Sequence, residues 1–209
     1  MHLLYSKGTE IGGNMKVIAF AASPRKGGNT EILLDEVIKG LRQSGADVEK
    51  IRTHELEISP CTGCGECDTL GRCVIEDSFQ ELFDLLIECD GMVFSSPLYF
   101  MNVPARGKAL IDRCQAFWAA KYCLKLDLFG GRRRLGFLVS CSGKKYGPDK
   151  KPVFKGIENT MKSVFTALGM EMIESLLFAG VDLKGGITQF PSALEKANRA
   201  GNIIAELLL

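Results

Sequence analysis

The chain has 209 residues, 46% of them hydrophobic and 24% charged, with 26 basic side chains against 25 acidic ones. That length buries a core without staples, and a net charge of +1 excludes both a globally basic nucleic-acid binder and a strongly acidic electron carrier. No apolar run reaches the roughly 20 residues of a membrane-spanning helix, and residues 1–14 are too polar for a secretory signal, so the expectation is a cytoplasmic protein with neither membrane nor nucleic-acid partners.

Residues 1–14, with Gly8, Gly12 and Gly13, read as a flexible extension. Lys16 to Ala22 then forms a nearly continuous apolar run of the kind a parallel strand buried on both faces shows. After the turn Ser23 to Thr30, Leu33, Leu34, Val37, Ile38 and Leu41 mark one helical face, with Glu31, Asp35, Glu36, Lys39 and Arg42 on the other, up to Gly45. A weaker strand near Val48 to Arg52 completes a βαβ unit. The alternation continues with a helix at Ser78 to Cys89, a strand at Met92 to Ser95 and a helix at Ala105 to Trp118. A strand at Leu135 to Ser140, a helix at Val153 to Leu168, a strand at Glu171 to Phe178 and a helix at Ser192 to Leu208 follow. Five strands with interleaved helices predict one three-layer α/β/α domain over 15–209, and right-handed crossovers favour a parallel sheet of order 2-1-3-4-5.

Such sheets bind ligands beyond the carboxyl ends of their strands, so the loops after strands one, three and four come first. Ser23-Pro24-Arg25-Lys26-Gly27-Gly28-Asn29-Thr30 ends where a helix begins. Its free amides, short donors and Arg25 make an anion site, or else the segment is a turn with Asn29 as helix N-cap. No Walker pattern and no G-x-G-x-x-G occurs. Ser23 and Ser95 stand where a phospho-accepting receiver domain needs acids. Ser95 to Pro104 is apolar where a surface loop should be polar, so Tyr99, Phe100 and Met101 line either a planar-ligand pocket or a contact between subunits. With Phe117 and Trp118 they exceed what one planar ligand covers, which predicts a homodimer or homotetramer.

These loops resemble the NADPH-dependent FMN reductase-like group of flavodoxin-like flavoproteins. The resemblance rests on K-V-I-A-F-A-A-S-P-R-K-G-G-N-T from Lys16, S-S-P-L-Y-F-M-N-V-P-A from Ser95 and K-A-L-I-D-R over Lys108 to Arg113; Arg106-Gly107 departs from the bulkier apolar pair of that group. By resemblance, Ser23, Arg25, Lys26, Gly28, Asn29 and Thr30 would hold the FMN phosphate. Pro97, Leu98, Tyr99, Phe100 and Asn102 would border the isoalloxazine, and Ser140, Cys141, Ser142 and Gly143 would close its other side. The resemblance further implies an FMN-dependent oxidoreductase that passes electrons between a donor, NAD(P)H or a ferredoxin-like protein, and an acceptor, with no catalytic acid–base residue. Its alternatives are an NAD(P)H:FMN or quinone reductase and a flavodoxin-type carrier.

A second signal is Cys61-x2-Cys64-x2-Cys67-x5-Cys73, inside a cysteine-rich insertion at 59–74 with Gly63, Gly65 and Gly71. Four thiolates so spaced suit a 4Fe-4S cluster; zinc, or no ligand at all, is the alternative reading. The spacing resembles the compact motif of the iron-sulfur flavoprotein branch of the same group. Cys89, Cys114, Cys123 and Cys141 lie in apolar sequence and are expected in the core. Glu76 to Asp90 carries six acids and no base, the pattern of a solvated helix face, whereas Lys121 to Lys151 carries nine bases and two acids. Within the latter, Arg132, Arg133 and Arg134 are expected on the surface. Lys144, Lys145, Lys150 and Lys151 are expected over the flavin edge, where they would attract a nucleotide phosphate or an acidic protein.

Overall fold

A computed structural model describes residues 15–143 and 153–209. The expected extension 1–14 and the basic residues Lys144, Lys145, Lys150 and Lys151 lie outside the described residues. The elements in chain order are β1 (Lys16–Ala21), α1 (Asn29–Gln43), β2 (Asp47–Arg52), a 3-10 turn (Thr53–Glu55), α2 (Cys67–Leu70), α3 (Phe79–Glu88), β3 (Gly91–Pro97), α4 (Ala105–Arg113) and α5 (Gln115–Tyr122). They continue with β4 (Leu135–Ser142), α6 (Lys155–Ala167), β5 (Glu171–Met172), β6 (Leu176–Ala179), a 3-10 turn (Gly186–Gln189) and α7 (Pro191–Leu208).

The sheet is parallel and ordered β2-β1-β3-β4-β5, as the crossover rule requires. Burial on both faces accounts for the uninterrupted apolar strands. Along β1, Ile18 and Phe20 point into a core with α3, α4, α5 and α6, while Val17, Ala19 and Ala21 point into a second core with α1 and α7. The expected fifth strand is broken. Leu135 faces Glu171 and Gly136 faces Met172, but Val139 faces Leu176, so two residues of β4 oppose three of its neighbour. One extra residue in the edge strand is a bulge, and β6 resumes the pairing beyond it.

The expected helix Ala105 to Trp118 is likewise two helices, joined at Cys114 by tight i to i+3 bonds, Cys114 N–H to Ile111 O and Phe117 N–H to Cys114 O, both 3.0 Å. Phe117 belongs to the core rather than a surface, stacked on Phe83 at 4.2 Å. Gly107 explains the departure noted in the sequence. A Cβ there would stand 2.6 Å from Val103 Cγ1 and 3.0 Å from Cβ of Ala22, so α4 approaches β1 closely only with glycine. Among the described residues no helix is long and apolar enough to cross a membrane.

One surface and one core assignment are corrected. Arg134 is buried: its guanidinium donates to the carbonyls of Cys89 (2.9 Å), Leu86 and Leu168 and lies 4.2 Å over the Phe129 ring. Those carbonyls sit at the ends of α3 and α6, whose negative helix termini offset the buried charge. Cys123, by contrast, is exposed rather than in the core, whereas Cys89, Cys114 and Cys141 are buried as expected.

Candidate functional site

The carboxyl ends of β1, β3, β4 and β6 open on one cleft of about 100 Å³. One end is the loop after β1, where Ser23, Arg25, Gly28, Asn29 and Thr30 line the wall. Gly27 has φ +67°, a left-handed conformation that turns the chain into α1. Ser23 Oγ accepts from the Arg25 amide at 3.1 Å, and the Gly28 amide donates to Arg25 O at 3.0 Å. The N-cap is Gly28, not Asn29. Asn29 instead reaches across the cleft: its Nδ2 donates to Leu183 O (2.9 Å) and Val181 O (3.2 Å), and its Oδ1 accepts from the Ile187 amide (3.2 Å). That side chain ties the α1 terminus to the segment after β6. Val181, Asp182 and Lys184 complete this end.

Pro97, Leu98 and Tyr99 form the apolar shoulder. Tyr99 and Asn102 exchange backbone hydrogen bonds of 2.8 and 3.0 Å around Phe100 (φ +50°) and Met101 (φ +66°), a two-residue turn that puts both bulky residues in the left-handed region. The turn is held from outside: Asn102 Nδ2 donates to Thr160 Oγ1 on α6 at 3.1 Å, and a Cβ on Gly156 would meet Met101 O at 2.5 Å. Phe100 is fully exposed, and neither it nor Asn102 lines the cleft. Cys141 and Gly143 do line it, while Lys26 points to solvent and Ser140 and Ser142 are buried along β4. Ser140 Oγ donates to Ser96 O at 2.7 Å, a sheet-stabilising role. Burial pushes the Cys141 thiol up to about 12, so it stays neutral.

The loop after β1 has a buried support. Glu31 in the first turn of α1 accepts from the Gly27 amide at 2.6 Å, from Lys50 Nζ at 3.0 Å and from Arg52. Burial alone would raise its carboxyl. The hydrogen bonds from Arg52, Gly27 and Lys50 outweigh that and hold it down at about 2, so it is an anion at every physiological pH.

The four cysteines of the 59–74 segment line one cavity of about 280 Å³, with Arg113, Gln115 and Ala116 on its opposite side. Gly63 and Gly65 adopt left-handed φ of +68° and +78°, and the Gly63 amide donates to Cys61 Sγ at 3.4 Å. Cys61 and Cys64 are exposed, Cys67 and Cys73 half-buried, and among the described residues no three potential ligands converge on a single point. Four thiols lining one space, with the Gly63 amide donating to one of them, fit a thiolate-held centre in donor chemistry.

Residues 15–179 match the family model described as NADPH-dependent FMN reductase. The chain belongs to that family. An iron-sulfur flavoprotein of Archaeoglobus fulgidus is 43% identical over 47% of this chain and 45% of its own length. One of Clostridioides difficile is 33% identical over 72% of this chain and 76% of that protein. The chain spans about half the length of the first curated relatives it matches. These relatives put it in the iron-sulfur flavoprotein branch of the FMN reductase family. Solved structures share the fold: a flavone reductase (TM-score 0.68, 18% identity, 93% of this chain and 63% of the other) and an NAD(P)H:quinone oxidoreductase from Methanothermobacter marburgensis (TM-score 0.64, 16% identity, 90% and 94%).

Of the residues singled out in the sequence, Ser23, Arg25, Gly28, Asn29, Thr30, Pro97, Leu98, Tyr99, Cys141 and Gly143 line the cleft at the strand ends; Val181, Asp182 and Lys184, which also line it, and Glu31 beneath the loop after β1 were not among them. Val181, Asp182 and Lys184 follow the fifth strand's carboxyl end, so applying the strand-end rule to that strand as well would have found them. Glu31 reads as polar surface in the helical pattern, and only its partners on β2 and in the loop reveal otherwise.

Proposed function

We propose that the chain is an FMN-dependent oxidoreductase whose phosphate and ribityl end enters the cleft between the β1 loop and the segment after β6. The carrying observation is the junction in one cleft of an amide-rich helix start with Arg25 and Lys184 at one end and the apolar shoulder Pro97, Leu98 and Tyr99 at the other. About 100 Å³ is small against typical ligand pockets of about 300–1,000 Å³, so the ring system lies over the open rim rather than inside. When bound, FMN accepts a hydride or two electrons and can release them singly, and a 4Fe-4S centre carries one at a time. The protein's part is binding, orientation and electrostatics: Asn29 fixes the two walls, Glu31 shapes the amides, and the neutral Cys141 adds no charge beside the ring.

The finer reading is a 4Fe-4S cluster on Cys61, Cys64, Cys67 and Cys73. Its support is the four thiols on one cavity and the relatives named iron-sulfur flavoproteins. The donor is NAD(P)H or a ferredoxin-like protein and the acceptor a small molecule or a protein. Tyr99 and Met101, each 44% exposed, and the bare Phe100 beside the cleft favour a homodimer or homotetramer with the flavin near the interface. The test is anaerobic purification and reconstitution. FMN at one per chain, with four iron and four sulfide, is expected. No flavin affinity would overturn the assignment, and full flavin loading with zinc or no metal would leave an NAD(P)H:FMN or quinone reductase without a cluster.

A further inference from the structure

Arg113 ends α4 with its side chain wholly excluded from solvent, an unusual place for a guanidinium. Each contact it makes ties down the cysteine segment. Its Nε donates to Cys73 Sγ at 3.1 Å, one terminal nitrogen donates to Asp77 Oδ2 (2.7 Å) and Ser59 O (3.0 Å), and the other donates to Ile75 O (3.0 Å). The plane stacks on Phe79 at 4.7 Å. Asp77 in turn accepts from the amides of Ser59 (2.8 Å) and Phe79 (2.9 Å). A single buried pair therefore clasps both ends of the 59–77 stretch, and its positive partner lies against one of the four sulfurs.

We infer that Arg113 is a positioning residue that tunes the centre held by the four cysteines, raising its reduction potential through a charged N–H···S bond to Cys73, with Asp77 setting how much of that charge the centre feels. The inference rests on the cluster reading above. One-electron reduction adds one negative charge to a thiolate-held centre, and a fixed cation and an N–H donor at a ligand sulfur stabilise the more negative state. Burial keeps water from screening the guanidinium, and arginine does not lose its proton. Asp77 carries the opposite charge on the same guanidinium. The two side chains therefore act as clasp partners in structure but as opponents in potential.

That opposition separates tuning from a merely structural role. Wild type, Arg113→Lys, Arg113→Gln and Asp77→Asn would be reconstituted anaerobically, assayed for iron and sulfide, and titrated with dithionite while the visible absorption is followed. Tuning predicts that Arg113→Gln lowers the reduced-to-oxidised ratio at fixed potential by about tenfold, a fall of about 59 mV for a one-electron couple. Arg113→Lys, which keeps the charge without the fork, falls by less, and Asp77→Asn shifts the ratio the other way. A clasp alone predicts lower iron retention in every variant and no opposed shifts, and that result overturns the inference. Should Arg113→Gln fail to fold, the direction of Asp77→Asn decides: a rise supports tuning, and a fall or no change refutes it. Absence of iron and sulfide from reconstituted wild type would instead bring down the cluster reading and this inference with it, whereas a loaded wild type with unshifted variants brings down the role of Arg113 only.

Discussion

Replacing Glu31 by glutamine probes the support beneath the loop after β1. The Glu31 side chain is 5% exposed and receives Arg52, Lys50 and the Gly27 amide. Burial raises its carboxyl, but those hydrogen bonds lower it by more, so it titrates at about 2 in the folded protein against 4.5 ordinarily. At about 1.36 kcal/mol per pH unit, that gap corresponds to about 3 kcal/mol of folding stability. The sign follows from linkage: a lowered carboxyl contributes fully above its unfolded value and loses that contribution as pH falls from 4.5 through about 2. A glutamine in this place can still accept the Gly27 amide but carries no charge. Glu31→Gln is therefore expected to be about 2–3 kcal/mol less stable than wild type at pH 7, with the gap closing as pH falls through that window. Urea unfolding of both proteins across that range measures it, and other carboxylates such as Asp77 cancel in the difference. FMN affinity should fall as well, since the loop amides lose their anchor. A gap under about 0.5 kcal/mol at pH 7, or one that persists undiminished in acid, would refute the assignment of Glu31 as a buried electrostatic support.

Three further outcomes follow from the structure. Asp182 lines the end of the cleft formed by the loop after β1, so Asp182→Asn should tighten FMN several-fold but leave riboflavin, which lacks the phosphate, unchanged in parallel fluorescence titrations; equal effects on both would show that the carboxylate does not face the phosphate. Arg134→Met strands the carbonyls of Cys89 and Leu168 in the core, at about 1–3 kcal/mol each, and leaves Leu86 O with the Cys89 thiol at 3.7 Å, so a thermal melt should show a loss of at least about 2 kcal/mol; a loss below about 1 kcal/mol would mean those carbonyls find other partners. Gly40→Ala would set a Cβ 2.0 Å from the backbone oxygen of Asn198 where α1 crosses α7, so it should destabilise by about 1–3 kcal/mol in denaturant despite alanine's better helix propensity, and a stabilised variant would show that the two helices separate freely.

Strand order, layer architecture and the position of the cleft were legible in the linear pattern because they depend on local periodicity and chain connectivity. A run such as Lys16 to Ala22 can be satisfied only by burial on both faces, and right-handed crossovers leave few ways to order five such strands. The glycine-rich loop and the apolar segment after the third strand were legible for the same reason, each being a local anomaly at a strand end. The cysteine spacing was legible in the same way, as four closely spaced thiols in a glycine-containing loop.

What the linear pattern left open is what depends on partners distant in sequence. Asn29 looks like a helix cap locally, yet its side chain bonds to residues more than 150 positions away. Glu31 and Arg134 sit in charged stretches that read as surface. Burial of an ionised group is decided by whether the fold supplies countercharges or helix-end carbonyls at the right place, and Lys50 and Arg52 on β2 and the termini of α3 and α6 do so here. The bulge between β5 and β6 is a mismatch between two strands and so belongs to neither sequence alone. Arg113 reads as one residue inside the helix expected over Ala105 to Trp118 until folding brings Ser59, Cys73, Ile75 and Asp77 around it. Local chemistry is written residue by residue, whereas the charge environment of a buried side chain is a property of the three-dimensional neighbours that only the tertiary structure assembles.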